Sequence, residues 1–99
     1  MQASKIAITG IRSAHVGVAA AAHNLANLNT PEFRPVRAVQ ETAPGGGSRA
    51  RVVRTSEPAA VEIARELVSM ELASVQARAS SGVVAAEREM LGSLFDAFA

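Results

Sequence analysis

Ninety-nine residues confine this chain to one domain, and a chain so short buries only a modest fraction of its surface on folding. Hydrophobic residues reach 48%, but much of that is alanine, and three Phe with no Trp or Tyr leave few side chains able to fill a wide interior. The absence of cysteine excludes disulfides and thiolate metal sites, and the net charge of +1 is unevenly spread. Residues 1–30 hold Lys5 and Arg12 and no acid. Residues 31–60 hold Arg34, Arg37, Arg49, Arg51 and Arg54 against Glu32, Glu41 and Glu57. Residues 61–99 hold Arg65, Arg78 and Arg88 against Glu62, Glu66, Glu71, Glu87, Glu89 and Asp96. The sums are +2, +2 and −3, so the two ends are complementary in sign, which favours packing one against the other.

The first segment, 1–30, reads as a helix. Ala7, Ile11, Ala14, Val18, Ala21, Leu25 and Leu28 recur in steps of four and three, an a/d seam whose early positions are small enough for a close partner. Gly10 and Gly17 each weaken the intrinsic helix by about 1 kcal/mol relative to Ala. Asn29-Thr30-Pro31 ends it, because proline cannot continue the hydrogen-bond ladder and pushes Thr30 out of the α region. Asn24 and Asn27 lie three apart beside the Leu25/Leu28 seam. Two readings stand: solvated or C-terminal capping asparagines, or interhelical hydrogen bonds that fix register. The run at residues 16–22, behind Lys5 and Arg12, has the outline of a secretory leader but is short, alanine-weak and flanked by His15 and His23, so no cleaved signal is expected.

The middle, 31–56, reads as a short β-hairpin or irregular connection. Two β-prone runs, 36–42 and 50–55, flank Ala43-Pro44-Gly45-Gly46-Gly47-Ser48-Arg49. The glycines lack the Lys-Ser/Thr of a phosphate loop and imply a flexible turn. Five arginines without interleaved aromatics, and with three glutamates nearby, imply a solvated or interface-lining hairpin and no nucleic-acid partner.

The last segment, 57–99, reads as a second helix, capped by Ser56 with Glu57 and Pro58 in its first turn. Its apolar stripe is Val61, Ala64, Val68, Leu72, Val75, Ala79, Val83, Ala86, Met90, Leu94 and Phe98, close to 3.7 residues per step. Continuous, such a helix runs about 60 Å, beyond what a first helix of about 39 Å covers, so the excess stripe needs a neighbour. Gly82 is its expected soft point. The fold class that follows is mainly α: long N- and C-terminal helices packed as a coiled coil and joined by a short hairpin-like middle.

No catalytic, cofactor or metal site emerges. His15 and His23 are eight apart and off a common face, no serine stands in a nucleophile elbow, and no apolar run of about 18 residues spans a membrane. The chain reads as a structural protein, not an enzyme.

One resemblance sharpens this. Asn24-Leu25-Ala26-Asn27-Leu28-Asn29-Thr30-Pro31, followed by Phe33 and Arg34, resembles the N-terminal signature of bacterial flagellar rod, hook and hook-associated axial proteins. Val61-Glu62-Ile63-Ala64-Arg65-Glu66-Leu67-Val68-Ser69-Met70, with Val83, Val84, Glu89, Met90 and Leu91, is similar to their C-terminal signature. The resemblance covers residues 1–34 and 57–99 and is most like a short proximal rod subunit. It implies terminal helices forming the inner coiled-coil core of a helical tube that transmits torque, built from copies of the chain and other axial proteins. It also implies unfolded passage through the flagellar type III export apparatus to the periplasm-spanning rod of the basal body, without membrane insertion. The interface so implied takes Ile11, Val18, Asn24, Leu25, Asn27, Leu28, Thr30 and Pro31 from the first segment. From the second it takes Val61, Ala64, Val68, Leu72, Val75, Val83, Met90 and Leu94. The chain departs from the family at Glu32, which stands where Gly usually precedes the aromatic residue, and at Ala60, Ala77 and Ser80. The alternative is a free-standing helical-hairpin interaction module or adaptor, which needs the apolar stripe but not Asn24, Asn27, Thr30 and Pro31.

Overall fold

Two long helices and a two-stranded hairpin make up the fold, as the periodicities imply. A computed structural model describes residues 2–98; Met1 and Ala99, the outermost residues of the expected helical segments, lie outside the described residues. Helix α1 is Gln2–Ala26, strands β1 and β2 are Val36–Thr42 and Ser48–Arg54, and helix α2 is Ile63–Phe98. The strands pair antiparallel from Val36↔Arg54 to Thr42↔Ser48. The helices keep the same count: Gly10 stands against Ser80, Gly17 against Ala73 and Asn24 against Glu66. Residue n therefore lies across from residue 90 − n in both the hairpin and the helix pair. The chain is one long antiparallel excursion about Gly45, with its strand portion folded back along α1.

That fold-back is a length match. The stretch of α1 from Thr9 to Asn24 rises about 22 Å at 1.5 Å per residue, and seven extended residues reach about the same distance. The strand pair thus lies along α1 with its root at Asn24, which accepts from the Val36 N–H at 2.8 Å. Its tip reaches Thr9, whose Oγ1 accepts from the Ser48 N–H at 3.0 Å. Ser13, 1% exposed, is 3.0 Å from the Ser48 hydroxyl. The glycine turn is docked and not the loose loop its composition implies. Gly45, Gly46 and Gly47 all have positive φ, and a Cβ on Gly47 would sit 2.5 Å from Thr9 Oγ1.

Both helix boundaries near the hairpin differ from the expected ones. After Ala26 the chain tightens into i→i+3 bonds, with Asn27 N–H to the Asn24 carbonyl and Thr30 N–H to the Asn27 carbonyl, so α1 proper is shorter than 1–30. At the other end α2 starts at Ile63, not near residue 57. The intervening residues are committed to the loop: Thr55 N–H bonds the Pro35 carbonyl, Ala59 N–H bonds the Phe33 carbonyl, and the Thr55 hydroxyl bonds the Glu57 carbonyl. An amide spent on Phe33 cannot serve a helical turn, so Ser56 caps nothing. Once started, α2 runs unbroken through Gly82 for 36 residues.

Glu32 sits in the turn between α1 and β1 with φ of 54°, in the left-handed region that favours glycine. Glu32 therefore places a side chain in a conformation that glycine adopts at lower cost.

The interior is small. Its buried apolar members are Ala7, Ala14, Ala20, Ala21, Ala73 and Val36. The molecule measures 64 × 26 × 13 Å with a radius of gyration of 17.6 Å. A compact chain of this length would have a radius near 13 Å. This is a blade, and a blade leaves most of its large side chains outside.

Candidate assembly surface

The helix–helix seam is made of small residues. On α1 it follows Ala7, Gly10, Ala14, Gly17, Ala21 and Asn24; on α2 it follows Glu66, Met70, Ala73, Ala77, Ser80 and Val84, in steps of four and three. A Cβ on Gly10 would meet Ser80 Oγ at 2.6 Å, and one on Gly17 would meet the Ala73 Cβ at 3.6 Å. The glycines that weaken α1 in isolation are thus what lets the two backbones approach. Three of the seven expected α1 seam residues lie on this face (Ala7, Ala14, Ala21). Ile11, Val18 and Leu25 stand half-buried at its flank, and Leu28 is exposed beyond the helix end.

The α2 stripe does not face α1. Ala64, Val68, Leu72, Val75, Val83, Met90 and Leu94 are all exposed, about a third of a turn from the seam. Val68 is 58% exposed, Leu72 65%, Phe95 74% and Phe98 87%. The cause is size: large side chains in this stripe cannot enter a seam held close by Gly10 and Gly17, so Ala73, Ala77 and Ser80 turn inward instead. Val61, half-buried, precedes the helix and lines an open trough of about 700 Å³ between β1 and the start of α2. Across this trough Gln40 and Gln76 exchange amide hydrogen bonds at 2.9 and 3.1 Å, while Gln76 also donates to the Gly10 carbonyl at 3.0 Å.

Asn24 and Asn27 separate into the two roles left open by their spacing. Asn24 is 2% exposed. Its Nδ2 donates to the Val36 carbonyl at 2.7 Å and to the Glu66 carboxylate at 2.9 and 3.2 Å, and its Oδ1 accepts from Val36 N–H. The Thr55 N–H bonds the Pro35 carbonyl, so in the alternating antiparallel ladder the next residue, Val36, points both its backbone groups away from β2. Asn24 satisfies both. It joins α1, β1 and α2 at one point and fixes their register within the chain. Asn27 is a cap: its Nδ2 donates to the His23 carbonyl at 2.9 Å, and its Oδ1 accepts from the Thr30 hydroxyl at 3.1 Å. Thr30 and Pro31 are exposed in the turn that follows.

Charge is satisfied locally. Glu41 on β1 pairs with Arg51 at 3.0 Å and Arg49 at 3.7 Å, and Glu71 pairs with Arg78 at 3.5 Å on α2. The hydrogen bond and charge of Arg51, with the charge of Arg49 beside it, hold the Glu41 carboxyl below its ordinary range. Arg54 donates to the Arg34 carbonyl at 2.9 Å and lies 5.9 Å from the Phe33 ring, which His23 flanks at 5.6 Å. Lys5 and Arg12 enter no ion pair among the described residues. Among the described residues no cluster of His, Asp and Glu could hold a metal, and no helix is long and apolar enough to cross a membrane.

Three contributors to this arrangement escaped the sequence reading: Glu66, Gln76 and Ser13. The seven-residue spacing of Gly10 and Gly17 on α1 and of Ala73 and Ser80 on α2 carries the signal for the seam, beside a neighbouring stripe of larger residues. No family model and no curated protein matches the chain.

Proposed function

We propose that this chain is a structural subunit of the bacterial flagellar basal-body rod, assembling through its terminal helices into a torque-transmitting tube with copies of itself and other axial proteins. One observation carries the proposal: most of the large apolar residues of α2, Val68, Leu72, Val75, Val83, Met90 and Leu94 among them, are uncovered, while the close contact between the chain's own helices is made where Gly10, Gly17, Ala73 and Ser80 meet. A long exposed apolar face on a soluble blade marks an interaction surface. The signatures at the two ends of the chain name the kind of assembly. The reading carries no catalytic step and no cofactor, and it assigns the subunit to the periplasm-spanning rod, reached through the type III export apparatus.

An adaptor would use the same face, so the deciding test is genetic. In the bacterium that encodes the chain, deletion should abolish swimming and leave basal bodies without a completed rod. Complementation with Val68→Asp should give a folded, expressed protein and no rescue, because a carboxylate buried on assembly without a partner costs several kcal/mol. Completed basal bodies in the deletion strain would refute the proposal.

A further inference from the structure

The register leaves the end of α2 without a companion. Gln2 stands opposite Arg88, so from Glu89 onward no described residue of α1 lies alongside. This overhang carries Glu89 and Asp96 and no cation. Between them the helix surface is open and low: Ala86, Glu89, Met90, Ser93 and Leu94 form a shallow exposed patch, and a Cβ on Gly92 would touch nothing within 4 Å.

The outer face of α1 is its complement. Lys5, Ile8 and Arg12 are exposed in steps of three and four, with no acid anywhere on the helix. Lys5 and Arg12 are seven residues apart, as are Glu89 and Asp96, so each pair spans about 10.5 Å along its own helix. An apolar knob stands between the two cations, and a shallow patch with Ser93 at its low point, edged by Met90 and Leu94, lies between the two acids. Within one chain the two features cannot meet. Ile8 stands opposite residue 82, and Ser93 lies eleven residues further along α2, about 16 Å away.

We infer that the overhang of one copy docks on the outer face of α1 of a second copy, with Ile8 seated on the Met90/Ser93/Leu94 patch and Lys5 and Arg12 paired with Glu89 and Asp96. The contact joins two different patches, so it propagates from copy to copy instead of closing a dimer. This rests on the assembly reading above and names the surfaces that would carry it.

The cysteine-free chain makes the test direct. Full-length Ile8→Cys and Ser93→Cys chains are mixed at high concentration under mild oxidation and run on non-reducing gels, with wild-type assembly followed by sedimentation. A disulfide needs Cα atoms within about 7 Å, so a mixed dimer reports the docked pair. The expected result is a mixed cross-link that weakens with salt and falls about tenfold with Arg12→Glu on the Ile8→Cys chain. Asp96→Lys or Glu89→Lys on the Ser93→Cys chain should restore it, and whichever does so gives the direction of the crossing. Cross-linking confined to like chains, or no recovery with either swap, would overturn the inference. Sedimenting assemblies without the mixed cross-link would overturn this surface while leaving the rod proposal intact. A chain that stays monomeric throughout would also overturn it, and the basal-body count judges the rod proposal separately.

Discussion

Replacing Asn24 with alanine removes a buried side chain that joins α1, β1 and α2. Three partners are stranded: the Val36 N–H, the Val36 carbonyl and one side of the Glu66 carboxylate. Val36 is buried, so its two backbone groups cannot recover water, and each costs roughly 1–3 kcal/mol when unsatisfied. Glu66 is half-exposed and can rehydrate, so its share is smaller. Against this, alanine gains at most about 0.7 kcal/mol of helix propensity. The net expectation is a loss of about 2–4 kcal/mol, a large part of the stability of a 99-residue chain. In thermal unfolding followed by circular dichroism that corresponds to a fall of roughly 10–20 °C. Asn27→Ala is the internal control, since an exposed cap should cost a few tenths of a kcal/mol. Asn24→Asp should be worse than alanine, because it deletes the donor and sets a second carboxylate against Glu66. If Asn24→Ala unfolds within about 0.5 kcal/mol of wild type, the junction does not hold the register and the reasoning fails.

Three further expectations follow from single positions. Glu32→Gly should stabilise the chain by about 0.5–1 kcal/mol in the same melts, since relief of a left-handed φ outweighs the added freedom of the unfolded chain. Gly10→Leu should destabilise it by about 1–3 kcal/mol by wedging the seam against Ser80, whereas Gly82→Ala, with open space around it, should gain up to about 1 kcal/mol. Glu41 should titrate below the ordinary carboxylate value of 4.5 in NMR, and Arg51→Ala should move it back up. Because the folded pKa is depressed, the Glu41 contribution is present above the unfolded value and is lost as pH falls through the folded one.

The helical ends and the hairpin between them were legible because periodicity and glycine placement report local geometry directly. The boundary at Ile63 was not, because the amide of Ala59 goes to Phe33, a contact 26 residues back that no local signal encodes. Which face of α2 meets α1 was not legible for a different reason. Sequence periodicity finds the largest apolar stripe on a helix and takes it to be the one facing its partner. That assumption holds when the partner belongs to the same core. Here two stripes compete on α2, and the closer approach permitted by Gly10 and Gly17 gives the seam to the smaller one. The roles of Asn24 and Asn27 could not be separated by spacing either, because what divides them is the reach of β1 to one and not the other.

That inversion of size, small within and large without, divides the free energy in a particular way. Covering what remains exposed of Val68, Leu72, Leu94 and Phe95 would contribute about 1–2 kcal/mol each, in sum comparable to the folding stability of a small domain. The seam itself, lined by alanine and glycine, has little comparable area to offer. Stability is therefore shifted from the single chain to the contact between chains. If the chain is the rod subunit proposed above, this division suits it, since a strong private core would resist unfolded export and a weak shared one would not carry torque. The polar junction at Asn24 fits the same logic: it contributes little hydrophobic area, but it fixes how α1, α2 and the hairpin are aligned. An aligned blade presents one continuous apolar stripe along α2, and a stripe broken by slipped register could not repeat from copy to copy.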